Sequence, residues 1–149
     1  MYLIDTNVIS EVRRGKAANP GVVAFFRRGA ERDENMYLSV ITMGELRRGV
    51  DLVRHRGDAT QAGLLEAWLM QVIDEYQDCI LPFDLDAAQA WGRLRVPQPE
   101  NALDKQIAAT ALIHDLTLVT RNTADFARTG VRLLDPFVAT TPPAAPRRR

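Results

Sequence analysis

Four carboxylates invite a chemical reading of this chain: Asp5, Glu45, Asp104 and Asp125, each placed where an apolar run ends or a helical pattern begins. Asp5 directly follows the apolar run Tyr2-Leu3-Ile4. In open parallel sheets, ligands bind at the carboxyl ends of the strands, although an Asp there can equally cap the next helix. Glu45 completes Thr42-Met43-Gly44-Glu45, a capping-box pattern for which a structural role suffices. Asp104 completes a looser version, Asn101-Ala102-Leu103-Asp104. It also falls at helical spacing with Ala108, Ala111, Leu112 and Asp115, so the pattern predicts a carboxylate directed toward packed structure. An inward carboxylate needs partners or a metal, because an unpaired buried charge is very costly. Asp125 follows the strand-like run Leu116-Thr117-Leu118-Val119 and lies near a helix start.

Taken together, the four acids predict one shared edge, provided the sheet is parallel with right-handed crossovers. Two unit charges about 5 Å apart repel by roughly 3 kcal/mol at an effective dielectric of about 20. Several such pairs call for a divalent cation, and hard oxygen donors without a cysteine or histidine cluster favour Mg²⁺ or Mn²⁺ over zinc. Spacing alone does not single these four out from the 19 acidic residues. His55 and His114 sit in no recognisable acid–base setting, so catalysis by a histidine pair is not expected. A metal can supply that chemistry instead, by lowering the pKa of water and neutralising phosphate charge.

The elements that must position these acids read as a single α/β domain with a parallel sheet. Strands are predicted at 2–4, 36–41, 79–81, 116–119 and 131–134. Helices are predicted at 6–14, from Asn19-Pro20 onward, and at 42–55, 59–76, 86–96 and 102–115. Leu65, Leu69, Val72, Ile73 and Tyr76 recur at helical spacing and read as core. The folded body is expected over 1–138, and 139–149, rich in Pro and Arg, as a disordered tail.

Composition sets the outer limits. At 149 residues and 46% hydrophobic, the chain can bury one core. A single cysteine, Cys79, excludes an internal disulfide and argues against a thiolate metal site. No signal-peptide pattern or bilayer-length apolar run is present, which predicts a cytoplasmic protein with no membrane partner. The net charge is zero, but without Arg147, Arg148 and Arg149 the body carries 16 basic against 19 acidic residues, or −3. Bulk electrostatics would then not attract nucleic acid. Local clusters such as Arg13-Arg14-Gly15-Lys16, Arg27-Arg28 and Arg47-Arg48, together with a bound cation, would have to do so. Each cluster taken singly also reads as a solvated helix face.

Four blocks in order resemble the PIN-domain signature: Leu3-Ile4-Asp5-Thr6-Asn7-Val8-Ile9-Ser10, Ser39-Val40-Ile41-Thr42-Met43-Gly44-Glu45-Leu46, Asp104, and Leu118-Val119-Thr120-Arg121-Asn122-Thr123-Ala124-Asp125-Phe126. Their order and spacing are similar to VapC/FitB-like toxins of type II toxin–antitoxin systems, over essentially residues 1–138. The resemblance implies a three-layer fold, with a mostly parallel sheet of about five strands flanked by helices. It implies an endoribonuclease whose metal site is formed by Asp5, Glu45, Asp104 and Asp125. With Asp5 and Asp104 as principal ligands, Glu45 holding the metal or orienting water, and Asp125 completing the site or binding a second ion, in-line attack of metal-activated water is predicted to leave 5′-phosphate and 3′-hydroxyl ends. Thr6, Thr120 and Asn122 occupy matching positions and are expected to support metal, water or ligand orientation. A cognate antitoxin protein and a homodimer are likewise implied.

Two other readings compete. A phospho-accepting receiver domain would need an acidic pair after the first strand, whereas Thr6 follows Asp5, and its phosphorylatable Asp and late lysine are not evident. A non-catalytic interaction module would not need four intact acids.

Overall fold

The computed structural model describes residues 1–138, so the tail expected at 139–149 lies outside the described residues. The chain opens with β1 (Tyr2–Ile4) and turns at Asp5 into α1 (Thr6–Val12). This helix ends two residues short of Arg14, and a tighter 3-10 turn at Gly15–Ala17 takes over, with Gly15 at φ 56°. Helix α2 (Pro20–Glu31) begins as its sequence predicts: Asn19 Oδ1 accepts from Gly21 N at 2.8 Å, with Pro20 in the first turn.

Strand β2 (Met36–Ser39) stops earlier than the predicted 36–41. Ser39 is the reason, because its Oγ accepts from Ile41 N at 3.1 Å and opens α3 (Val40–His55). Helix α4 (Ala59–Glu75) packs against α3. Strand β3 is confined to Ile80–Leu81, with Cys79 closing a 3-10 turn instead of joining it. Helix α5 (Leu85–Leu94) ends before Val96, as Pro97 requires. Helix α6 (Ala102–Ile113), β4 (Thr117–Val119) and β5 (Leu133–Leu134) complete the chain, β5 being half the predicted length.

All five strands are parallel, in the order β3-β2-β1-β4-β5. The order runs outward from β1 in both directions, so the switch point falls between β1 and β4. In such sheets the crevice outside the strand ends at the switch point is the binding site. Successive strand residues serve opposite faces. Ile4, Leu38 and Val119 join a core built with Val8, Ile9, Val22, Phe25, Leu46, Val50, Leu69 and Val72 from α1 to α4. Leu3 and Leu118 join a second core with Ile107, Ala108 and Ala111 of α6. The result is the expected three-layer α/β architecture, and both strands at the switch point are clamped from two sides.

Candidate active site

Asp5 follows the last residue of β1 and Thr120 that of β4, the two strands flanking the switch point. Asp5 N donates to Val119 O at 2.9 Å, which holds the two strand ends together. The Asp5 side chain is 4% exposed, and both its oxygens are engaged. Oδ1 accepts from Thr6 N at 2.8 Å, while Oδ2 accepts from Thr120 Oγ1 at 2.8 Å and Asn7 Nδ2 at 3.2 Å. The capping explanation of Asp5 is therefore true, but it accounts for only one of three bonds. Burial pushes the Asp5 carboxyl above its ordinary 3.8, against those hydrogen bonds, and the Asp125 charge pushes in the same direction.

Glu45 is not a capping-box residue. Because Ser39 opens α3, Thr42 is already the third helical residue and Glu45 lies in the second turn. Its side chain turns toward α1, where Thr6 Oγ1 donates to Glu45 Oε1 at 3.0 Å. Thr6 Oγ1 also lies 3.2 Å from Thr42 Oγ1. An ionised carboxylate only accepts, so the Thr6 proton goes to Glu45, and Thr42 donates to Thr6 in turn. Burial raises the Glu45 carboxyl, and the charge of Asp5 adds to the rise.

Asp104 stands in the first turn of α6. The looser capping pattern also fails, since Asn101 sits at φ 56° and makes no side-chain cap bond. Of the face expected beside Asp104, Ala108 and Ala111 are fully buried, but Leu112 is exposed and Asp115 lies exposed beyond the helix end. Asp104 therefore borders the buried stripe and is itself half-buried. Its carboxyl is pushed up to about 6, first by burial and then by the charges of Asp5, Asp125 and Glu45.

Asp125 is exposed on the 3-10 turn Thr123–Phe126, which the buried Phe126 ring anchors. The fold thus brings all four acids into one field, where Asp104 feels each of the other three. As placed, no three of them stand close enough together to hold a metal ion among the described residues, and none takes part in any of the ion pairs made there. By donor chemistry alone, carboxylate oxygens that are half-desolvated and paired with no cation among the described residues suit a hard divalent ion better than zinc.

Thr6 and Thr120 donate to Glu45 and Asp5, respectively. Asn122 contributes its backbone, with N donating to Thr120 Oγ1 at 3.1 Å, and its side chain makes no hydrogen bond among the described residues. Asn7 and Thr42 were not among the residues expected to support the site. Asn7 Nδ2 also donates to Thr120 Oγ1 at 3.3 Å, and Asn7 Oδ1 accepts from Arg121 N at 3.0 Å, so one amide ties the first turn of α1 to the end of β4. The run Asp5-Thr6-Asn7 immediately after a buried strand is the signal that could have pointed to Asn7.

Comparison with known proteins agrees with this fold. The PIN domain family model matches residues 2–131. The chain belongs to the PIN-domain family. Among curated PIN-domain relatives, it is 36% identical to Toxin FitB of Neisseria gonorrhoeae over 143 residues, covering 92% of this chain and 99% of that protein. It is 32% identical to VapC ribonuclease Y4jK of Sinorhizobium fredii over 143 residues, covering 92% and 98%. Among solved structures, it matches a chain of FitAB bound to an IR36 DNA fragment with a TM-score of 0.81 and 34% identity, covering 94% and 98%.

Proposed function

We propose that this PIN-domain protein is a divalent-metal-dependent endoribonuclease that hydrolyses RNA phosphodiester bonds and serves as the toxin of a toxin–antitoxin pair. The observation that carries the reading is the gathering of four acids at the β1/β4 edge, with no cationic side chain paired to any of them among the described residues. The relatives supply substrate and setting: one is named a ribonuclease, one a toxin, and the FitAB structure is a complex on DNA. The partners are RNA as substrate, a cognate antitoxin protein and a second copy of the chain. The compartment is the cytoplasm, and no helix among the described residues is long and apolar enough to cross a membrane.

Asp5 and Asp104 would hold Mg²⁺ or Mn²⁺, Glu45 would hold the ion or orient water, and Asp125 would complete the site or hold a second ion. A bound divalent cation supplies a water of lowered pKa and neutralises charge on the phosphate. The chain's own groups do the positioning. Thr120 and Asn7 fix the Asp5 carboxylate, and Thr6 fixes Glu45 Oε1. The buried ends of β1 and β4 keep these groups from relaxing apart under their repulsion. In-line attack of water on the phosphodiester leaves 5′-phosphate and 3′-hydroxyl ends.

Induced expression of wild type beside Asp5→Asn, with sequencing of new 5′-phosphate RNA ends, tests the proposal. Growth arrest and discrete cut sites are expected in wild type alone. Full activity in Asp5→Asn, or no new ends in wild type, would overturn it.

A further inference from the structure

Beside the acidic cluster lies a cavity of 290 Å³ between the 94–101 segment, the first turn of α6 and the turn that carries Asp125. That volume stands at the small end of ligand pockets, which begin at about 300 Å³. Asp125 belongs both to this cavity and to the cluster, and Lys105, which lines it, is the residue after Asp104. The cavity therefore opens directly off the proposed point of cleavage.

Lys105 is unusual in this protein. It is 9% exposed, and its Nζ donates to the carbonyl of Gln98. Among the described residues it makes no ion pair. A buried ammonium with a carbonyl partner and no counter-charge is incompletely compensated, and an anion would complete it. Two further groups face the same space. Arg128 is exposed at the rim, and Asn101 has a side chain left uncommitted because its left-handed backbone draws no cap bond from it. Glu100 and Asp125 also line the cavity, but both are exposed and so screened by water, whereas the lysine is not.

We infer that this cavity is a nucleotide subsite, holding the residue of the RNA strand next to the cleaved bond. Lys105 and Arg128 bind its phosphate, and the amides of Asn101 and Gln98 contact the base edge. The inference rests on the ribonuclease reading above and adds to it a determinant of where the strand is cut. A phosphate contact strengthens binding for any sequence, whereas a base-edge contact selects sequence, so the two halves of the pocket separate experimentally.

The test uses three variants of the full chain. Lys105→Met removes the buried charge. Arg128→Ala removes an exposed one and cannot disturb the core. Asn101→Gly removes the amide while keeping a backbone suited to φ 56°. On a short single-stranded RNA, Lys105→Met should raise KM about tenfold or more with kcat little changed, and Arg128→Ala should lower the salt slope of binding by about one. Asn101→Gly should raise KM for the preferred cut site and broaden the set of cut sites. Wild-type KM, salt slope and cut sites in Arg128→Ala and Asn101→Gly would overturn the subsite while leaving the ribonuclease reading intact. Should wild type cut no RNA, that reading falls by itself. Binding of the same oligonucleotide to Asp5→Asn, with and without Arg128→Ala, then decides the subsite, and equal affinity and salt slope overturn it.

Discussion

Thr120 Oγ1 donates to Asp5 Oδ2 at 2.8 Å, joining the ends of β4 and β1 across 115 positions of sequence. The same oxygen accepts from Asn122 N and lies within hydrogen-bond reach of Asn7 Nδ2. One buried hydroxyl thus organises the carboxylate, the turn after β4 and the first turn of α1. Thr120→Val conserves shape but leaves Asp5 Oδ2 and Asn122 N short of a partner. Chemical denaturation should show a loss of about 1–3 kcal/mol. Thr120→Ser, which keeps the hydroxyl, should recover most of it.

Asp104 and Asp5 should respond differently to amide substitution. Asp104 makes no side-chain hydrogen bond among the described residues, and its charge is opposed by three other acids. Asp104→Asn should therefore abolish cleavage and raise the metal-free melting temperature. In Asp5→Asn, the new amide must turn an N–H toward a hydrogen-bond donor, whichever way it is placed. That variant should lose cleavage and also lose about 1–3 kcal/mol of stability. Equal melting temperatures for the two variants would contradict the bonding described here.

The raised Asp104 pKa fixes the sign of a pH effect on the metal-free protein. Its carboxyl titrates near 3.8 unfolded and about 6 folded, so the folded state binds more protons across that window. The stabilising contribution is complete below 3.8 and is lost as pH rises through about 6. The melting temperature should fall over this range relative to Asp104→Asn, and saturating Mn²⁺ should reverse the fall. Thermal melts at stepped pH check both statements.

Thr6 is predicted to act through Glu45. Thr6→Val removes the proton donated to Oε1 while preserving shape, so Mn²⁺ affinity should drop by about tenfold in a direct titration. An affinity equal to wild type would show that Glu45 needs no positioning.

Much of the frame was legible because local signals agreed with it. The run Tyr2-Leu3-Ile4 ends at Asp5, and Asn19-Pro20 opens α2. The third strand and α6 also lie close to where their apolar patterns place them. The start of α3 misled, because Ser39 and Thr42 are both good caps, and only packing decides that Ser39 turns the chain. That three-residue difference converts Glu45 from a capping residue into one facing α1. Asn7 and Thr42 escaped notice for a related reason. Their partners, Thr120 and Thr6, are distant in sequence, and an amide or hydroxyl in a first helical turn carries no local sign of such a bond.

Cleavage of a single-stranded RNA by the purified protein, titrated with Mn²⁺ from a chelated start and run beside Asp104→Asn, tests the central claim most directly. The account predicts no cleavage in chelator, and activity restored by Mn²⁺ or Mg²⁺ with 5′-phosphate products. It predicts no activity at any metal concentration for folded Asp104→Asn. Undiminished cleavage in chelator, or a wild-type rate in Asp104→Asn, would contradict it.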